Sequence, residues 1–341
     1  MALRMRVLTA ALSASVALSA TAAFADGELN LYSSRHYDTD ERLYSDFEKE
    51  TGIKINRIEG KADELIERLK AEGENSPADV LLTVDAGRIW RAADAELLAP
   101  VESEVLEERI PEALQHPDNL WFGFSTRARL VFYSKERVSE PPQTYADLAD
   151  PKYQGQVCAR SSSNIYMLSL LASRIAKDGE EAAEAWARGL KDNLARDPQG
   201  GDTDQLRGIV SGECDIAVAN SYYFARALRS EVDGLSGSID QIGWVFPDQD
   251  GDGTHINVSA GAVVKNAPNR ENAVKFLEYL ASDSAQEYFA AGNDEYPAVE
   301  GVGRSASVTK LGDFKADDLN LSALGEYQAA AQDIYNKVGY K

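Results

Sequence analysis

Apolar positions along this chain follow two periods in alternation. Residues 29–33 place apolar side chains at every second position, the spacing of a half-buried strand, and residues 40–50 then recur at the helical spacing. The same pair follows twice more: strand 53–57 with helix 63–71, then a continuous apolar strand 79–84 with helix 86–95. Such a rhythm predicts an α/β fold with a mainly parallel sheet. A second series begins at strand 130–133 and runs through strand 156–159, helices 165–176, 180–191 and 204–210, strand 215–219 and helix 222–229. Strands 243–246 and 255–264 come next, and helices 270–281, 284–290 and 322–338 close the pattern. Two α/β series in 341 residues predict two lobes. Ligands of open α/β sheets sit beyond the carboxyl ends of strands, near helix N-termini, so the strand-to-helix turns are the places to inspect.

Charge and composition remove several functions. Asp and Glu number 56 against 35 Lys and Arg, a net charge of −21. A nucleic-acid partner needs clustered basic charge, so none is expected. With 3 His and 2 Cys, a zinc site of several Cys and His is excluded, and any metal must draw mostly on oxygen. The chain holds 15 Tyr, the oxygen donor to follow. Its first residues read as an export signal: Arg4 and Arg6, an apolar stretch from Val7 to Leu18, then Ala23-Phe24-Ala25 with small residues at the cleavage positions. Cleavage after Ala25 is expected, leaving 26–341 with a charge of −23. Export puts Cys158 and Cys214 in an oxidising compartment, where a pair tends to be joined. Both fall at strand-like segments, and a bridge requires those strands to be neighbours; two free buried thiols are the alternative.

Three turns place tyrosine at the start of a helix. In the first, Tyr32-Ser33-Ser34-Arg35-His36-Tyr37-Asp38, the pair Asp38 and Glu41 resembles a capping box, so His36 and Tyr37 stand just ahead of a helix. In the second, Ser161-Ser162-Ser163-Asn164-Ile165-Tyr166 follows a strand and puts Tyr166 in the first helical turn. In the third, Asn220-Ser221-Tyr222-Tyr223 follows a strand, and both tyrosines open the next helix. A helix N-terminus favours an anion. A phenol with an ordinary pKa of about 10 is neutral at pH 7 until a bound cation displaces its proton. Phenolate is a hard oxygen ligand suited to a small, highly charged cation such as ferric iron. Four phenolates on a trivalent cation leave one negative charge. Arg226, four positions after Tyr222, can share its helix face and offset that charge.

These motifs, with Gly-Asp-Gly-Thr-His-Ile-Asn-Val-Ser-Ala-Gly at 251–261, resemble the periplasmic ferric-ion-binding proteins of ABC transporters. They resemble in particular the tyrosine-rich subclass that binds iron without a synergistic anion. The similarity covers essentially the whole mature chain. It implies a type II periplasmic-binding-protein fold: two lobes, each a central sheet flanked by helices, joined by hinge strands. We expect 26–125 plus 255–298 in the first lobe and 126–254 plus 299–341 in the second, with iron in the cleft. The resemblance implies Fe(3+) ligation by Tyr37, Tyr166, Tyr222 and Tyr223. His36 matches a position that ligates in some members and not in others. Arg127 and Arg226 match basic residues that line the site. Other members use a carboxylate from the first lobe; Glu59 lies in that region, but Tyr166 makes it unnecessary. The implied partners are a permease and its ATPase, reached by a periplasmic monomer.

Other signals carry less. Asp248-Gln249-Asp250-Gly251-Asp252-Gly253 imitates the start of a calcium loop, but the twelfth position is Ser259 where a bidentate Glu is needed. The run reads instead as an acidic inter-strand turn leading into a hinge strand. Gly200-Gly201-Asp202 reads as a turn, and no phosphate-binding glycine loop or nucleophile elbow is present. The competing readings are the same fold holding a small organic or oxyanion solute between tyrosine walls, and a secreted hydrolase or iron-dependent enzyme.

Overall fold

The computed structural model describes residues 27–35 and 40–341. The expected signal segment through Ala25, and His36, Tyr37 and Asp38 with the capping box, lie outside the described residues.

The first series gives β1 (Gly27–Ser33), α1 (Asp40–Thr51), β2 (Ile53–Glu59), α2 (Ala62–Glu72), β3 (Val80–Val84) and α3 (Ala86–Asp94). Then come β4 (Leu98–Ala99), α4 (Glu104–Arg109) and the long β5 (Phe122–Ser134). The second series is β6 (Val157–Cys158), α5 (Ile165–Asp178), α6 (Glu180–Asp192), α7 (Asp202–Ser211), β7 (Ile216–Asn220), α8 (Ser221–Arg229) and β8 (Ile242–Val245). The chain ends with β9 (Ile256–Val264), α9 (Arg270–Leu280), α10 (Asp283–Asn293), β10 (Tyr296–Pro297), α11 (Ala306–Leu311), α12 (Ala323–Glu326) and α13 (Gln328–Val338). No helix of the described residues is long and apolar enough to cross a membrane.

The strand order is β2-β1-β3-β9-β5-β7-β6. The sheet is mixed, which corrects the expectation of a mainly parallel one. β1 runs parallel to β2 and β3, and β6 parallel to β7. β9 is antiparallel to β3, and β5 is antiparallel to β9, β7 and β8. An apolar run reports burial and carries no information on strand direction. β5 links the two halves: residues 122–128 pair with β9, and 129–134 with β7 and β8.

Three apolar clusters form around this sheet. One packs α1, α2, α3, α9 and α10 against β1, β3 and β9, with Phe47, Phe124 and Phe276 fully buried. The other two lie on opposite faces of the β5–β7 region. Val131, Ile216 and Val218 face α5, α6 and α13; Leu130, Phe132, Ala217 and Ala219 face α7 and α8. That alternation is the period-2 rule of a strand covered on both faces. Each large apolar side chain so buried contributes roughly 1.5–3 kcal/mol.

The predicted helix 322–338 is two helices, broken at Tyr327. The break has a packing cause. Leu324 of α12 belongs to the first core, whereas Ala331, Ile334 and Tyr335 of α13 belong to the second. Cys158 and Cys214 form a disulfide with Cα atoms 5.8 Å apart, since β6 and β7 are neighbours. The 248–253 run is a turn between β8 and β9, closed by Gly251 and Gly253 N–H donating to the Asp248 carbonyl at 3.0 and 2.9 Å. Ser259 is not at a cation loop. It lies in β9, where its Oγ accepts from Arg127 at 3.2 Å.

Candidate metal centre

The second and third tyrosine turns converge. Asn164 caps α5, its side chain accepting from the Tyr166 N–H at 3.1 Å, so Tyr166 occupies the first turn. β7 ends at Asn220, and α8 begins at Ser221. Tyr222 and Tyr223 thus also sit in a first turn. The Tyr166 and Tyr222 hydroxyls lie 3.3 Å apart. The Tyr222 and Tyr223 rings stack with centroids 4.2 Å apart. Arg226, one turn on, places its guanidinium 5.7 Å from the Tyr222 ring, as the helical spacing predicts.

A cavity of about 700 Å³ opens in front of these phenols. Its other wall comes from the first core: Ser34, Glu59, Gly60, Lys61, Val84 and Arg88. Tyr166, Tyr222, Tyr223 and Arg226 line the near side. His36 and Tyr37 lie outside the described residues; the strand end leading to them borders the cavity at Ser34. Glu59 lines the cavity but stays half-exposed, in an ion pair with Arg57 at 3.3 Å.

Arg127 is not among the cavity-lining residues. It is buried in β5, with Glu295 Oε1 at 3.8 Å and a hydrogen bond to Ser259 Oγ. Arg35 shares this cluster, donating to both Asp40 oxygens at 3.0 and 3.1 Å and to Ser259 Oγ at 2.5 Å. Sequence reasoning named Arg127 but missed Arg35, Asp40 and Glu295. Arg35 and Asp40 are five positions apart, but Ser259 and Glu295, which complete the cluster, lie far along the chain, and no local signal joins them.

A second missed residue is Asp85. It caps α3 with φ of 84°, fully buried, and accepts from Gly87 N–H, Ser169 Oγ and Asn257 Nδ2 at 2.9, 2.8 and 2.8 Å. Burial raises its carboxyl pKa above the usual range. An acid directly after an apolar strand and before a helix is an N-cap signal that would have flagged it.

Most other tyrosines are packing residues. Tyr335 and Tyr340 donate to the Met167 and Arg160 carbonyls at 3.1 and 3.0 Å, and burial pushes both phenols up, so they stay neutral. The cavity tyrosines differ because they stand at two helix starts, where negative charge is favoured, with the Tyr166 and Tyr222 hydroxyls meeting there. Among the described residues no group of three or more His, Cys, Asp or Glu could hold a metal ion. The phenols are oxygen donors on which a hard cation could draw here, with the Glu59 carboxylate on the facing wall.

Residues 42–316 match the family described as bacterial extracellular solute-binding protein. This chain belongs to that family. The extracellular solute-binding protein is 53% identical over 315 residues to Iron uptake protein A1 of Synechocystis, covering 92% of this chain and 88% of that one. It resembles a Trichodesmium structure described as IdiA (FutA) in complex with iron and citrate ligands, at TM-score 0.90 and 52% identity, covering 92% and 100% of the two chains. A ferric binding protein from Campylobacter jejuni matches at TM-score 0.86 and 40% identity, covering 92% and 100%. The fold is the two-lobed α/β architecture of periplasmic binding proteins, as expected from the sequence.

Proposed function

We propose that this protein is a periplasmic carrier of ferric iron that delivers its cargo to an ABC-type permease and ATPase. The observation that carries the reading is the meeting of Tyr166 and Tyr222, hydroxyls 3.3 Å apart, with Tyr223 beside them on a cavity walled by both cores. Tyr37 supplies a fourth phenolate from the first lobe, with His36 beside it, and Arg226 on the cavity wall offsets the surplus negative charge. The first lobe comprises 26–125 and 255–298, the second 126–254 and 299–341. Leu321 and Leu324 reach back into the first core, so the last crossing passes through 319–326. The leader ends at Ala25, and the mature carrier is a monomer. Protons compete with iron for phenolate, so acid or reduction favours release.

Colour tests the reading. Iron-loaded protein should show a tyrosinate-to-iron charge-transfer band in the visible. A Tyr222→Phe, Tyr223→Phe variant should lose most of it. Colourless protein, with no iron by elemental analysis after loading, would refute the site. Lys61, Arg88 and Arg226 on the cavity wall favour a second reading, a small organic or oxyanion solute. Calorimetry separates the two: heat with a carboxylate or oxyanion and none with ferric iron would select the second.

A further inference from the structure

We propose, building on the iron reading above, that Asp202 is the positioning residue of the site: one buried carboxylate sets the start of α8 and the environment of the Tyr166 ring together. Asp202 opens α7 and is fully buried. Its Oδ2 accepts from Arg129 Nη1 at 2.7 Å and from the Asn220 backbone N–H at 2.7 Å. Its Oδ1 faces Arg160 at 3.6 Å.

Each contact leads to a phenol. Asn220 is the N-cap of α8, two and three residues ahead of Tyr222 and Tyr223. Its own side chain makes no capping hydrogen bond, because Asn220 Oδ1 accepts from Arg129 at 2.9 Å. Asp202 and Arg129 therefore hold both the N–H and the side chain of the residue from which that helix starts. On the other side, the Arg129 and Arg160 guanidinium carbons lie 5.7 and 5.3 Å from the Tyr166 ring centroid. Asp202 bonds one and pairs with the other, fixing where both cations rest.

The placement is built in. Gly200 has φ of 67°, in the left-handed region, and a Cβ there would lie 2.6 Å from the Asp204 carboxylate. Asp204 in turn accepts from the Gly201 N–H at 2.7 Å. The Gly-Gly-Asp turn thus delivers Asp202 onto the end of the paired β5 and β7, where Arg129 and Asn220 stand opposite each other in register. Groups that orient metal ligands from behind typically cost roughly 10–100-fold in metal affinity when removed.

The test uses the purified mature protein loaded with ferric iron. Wild type, Asp202→Ala, Asp202→Asn and Trp186→Phe are compared by visible spectrum, by citrate competition and by apo melting temperature. Trp186 lies on α6 in the second core, away from the cavity, and donates to the Tyr145 carbonyl at 2.6 Å. Asp202→Ala should weaken iron affinity by roughly 10–100-fold and move or weaken the charge-transfer band. Asp202→Asn keeps an acceptor for Asn220 and should lose less. Trp186→Phe should melt lower with its band and affinity unchanged, separating stability from positioning. Asp202 variants that keep the wild-type band, with affinity within about threefold, would overturn the proposal. If Asp202→Ala does not fold, Asp202→Asn alone decides. A wild-type protein that shows no band refutes the iron reading itself, and the positioning role with it.

Discussion

Single residues were legible where their signal is local. Asn164, Tyr166, Tyr222 and Tyr223 were readable because capping and first-turn position depend on two or three neighbours in sequence. Asp202 was not, because its Arg129 partner lies 73 positions away; at Asp85 the N-cap position was local, but its Ser169 partner lies 84 positions away. His255 is another case that no local pattern reveals. Immediately before β9, it is buried beside Arg129 and Lys177, with Asp248 and Asp317 on the same small cavity. Burial first, and then those two cations, push its imidazole down from 6.5 to about 3. The folded state therefore refuses a proton that the unfolded chain takes up. Its contribution to stability is complete above pH 6.5 and falls as pH drops toward about 3. His255→Gln should flatten the loss of stability across that window, read by urea unfolding at pH 7 and pH 4.5. An unchanged slope would show that this imidazole does not control acid sensitivity.

At the scale of elements, helices with a clear apolar stripe were placed within a few residues. The short α4 and α11, six residues each, were missed because one and a half turns give too little periodicity. β5 was read as four residues and is thirteen, since its first half pairs across the molecule with β9. The pairing of Cys158 with Cys214 was readable from export and strand position, and the adjacency of β6 and β7 makes it geometrically available. The bridge closes a loop with a sequence separation of 56. Loop-closure entropy assigns such a link about 4 kcal/mol of stabilisation. A Cys158→Ser, Cys214→Ser protein should unfold at lower urea by that order, with its iron band intact, because the bridge lies behind α7 rather than on the cavity. A variant with unchanged unfolding would place the restraint elsewhere, for example in the β5–β7 pairing.

The two-lobed plan was legible because α/β rhythm appears twice. How the lobes meet was not legible, because that rests on contacts between segments far apart in sequence. One such contact is a hydrogen bond between the cores: Ser169 Oγ of α5 donates to Asp85 Oδ1 at 2.8 Å. Asp85 belongs to the turn after β3 in the first core, and α5 carries Tyr166 at its start. The bond thus ties the wall bearing Tyr166 to the wall bearing Val84 and Arg88. An opening motion that separates α5 from α3 breaks it, while Gly87 N–H and Asn257 Nδ2 keep their hold on Asp85. Ser169 touches neither the cavity nor a phenol, so it acts on closure rather than on the metal. Ser169→Ala should leave the charge-transfer band in place and speed iron release to a competing chelator by about tenfold, the worth of one hydrogen bond to a charged acceptor. Stopped-flow decay of the band reads that rate. Release at the wild-type rate would mean that the lobes are held by other contacts, such as Arg91 Nε donating to Gln328 Oε1 and the packing of α3, α5 and α12.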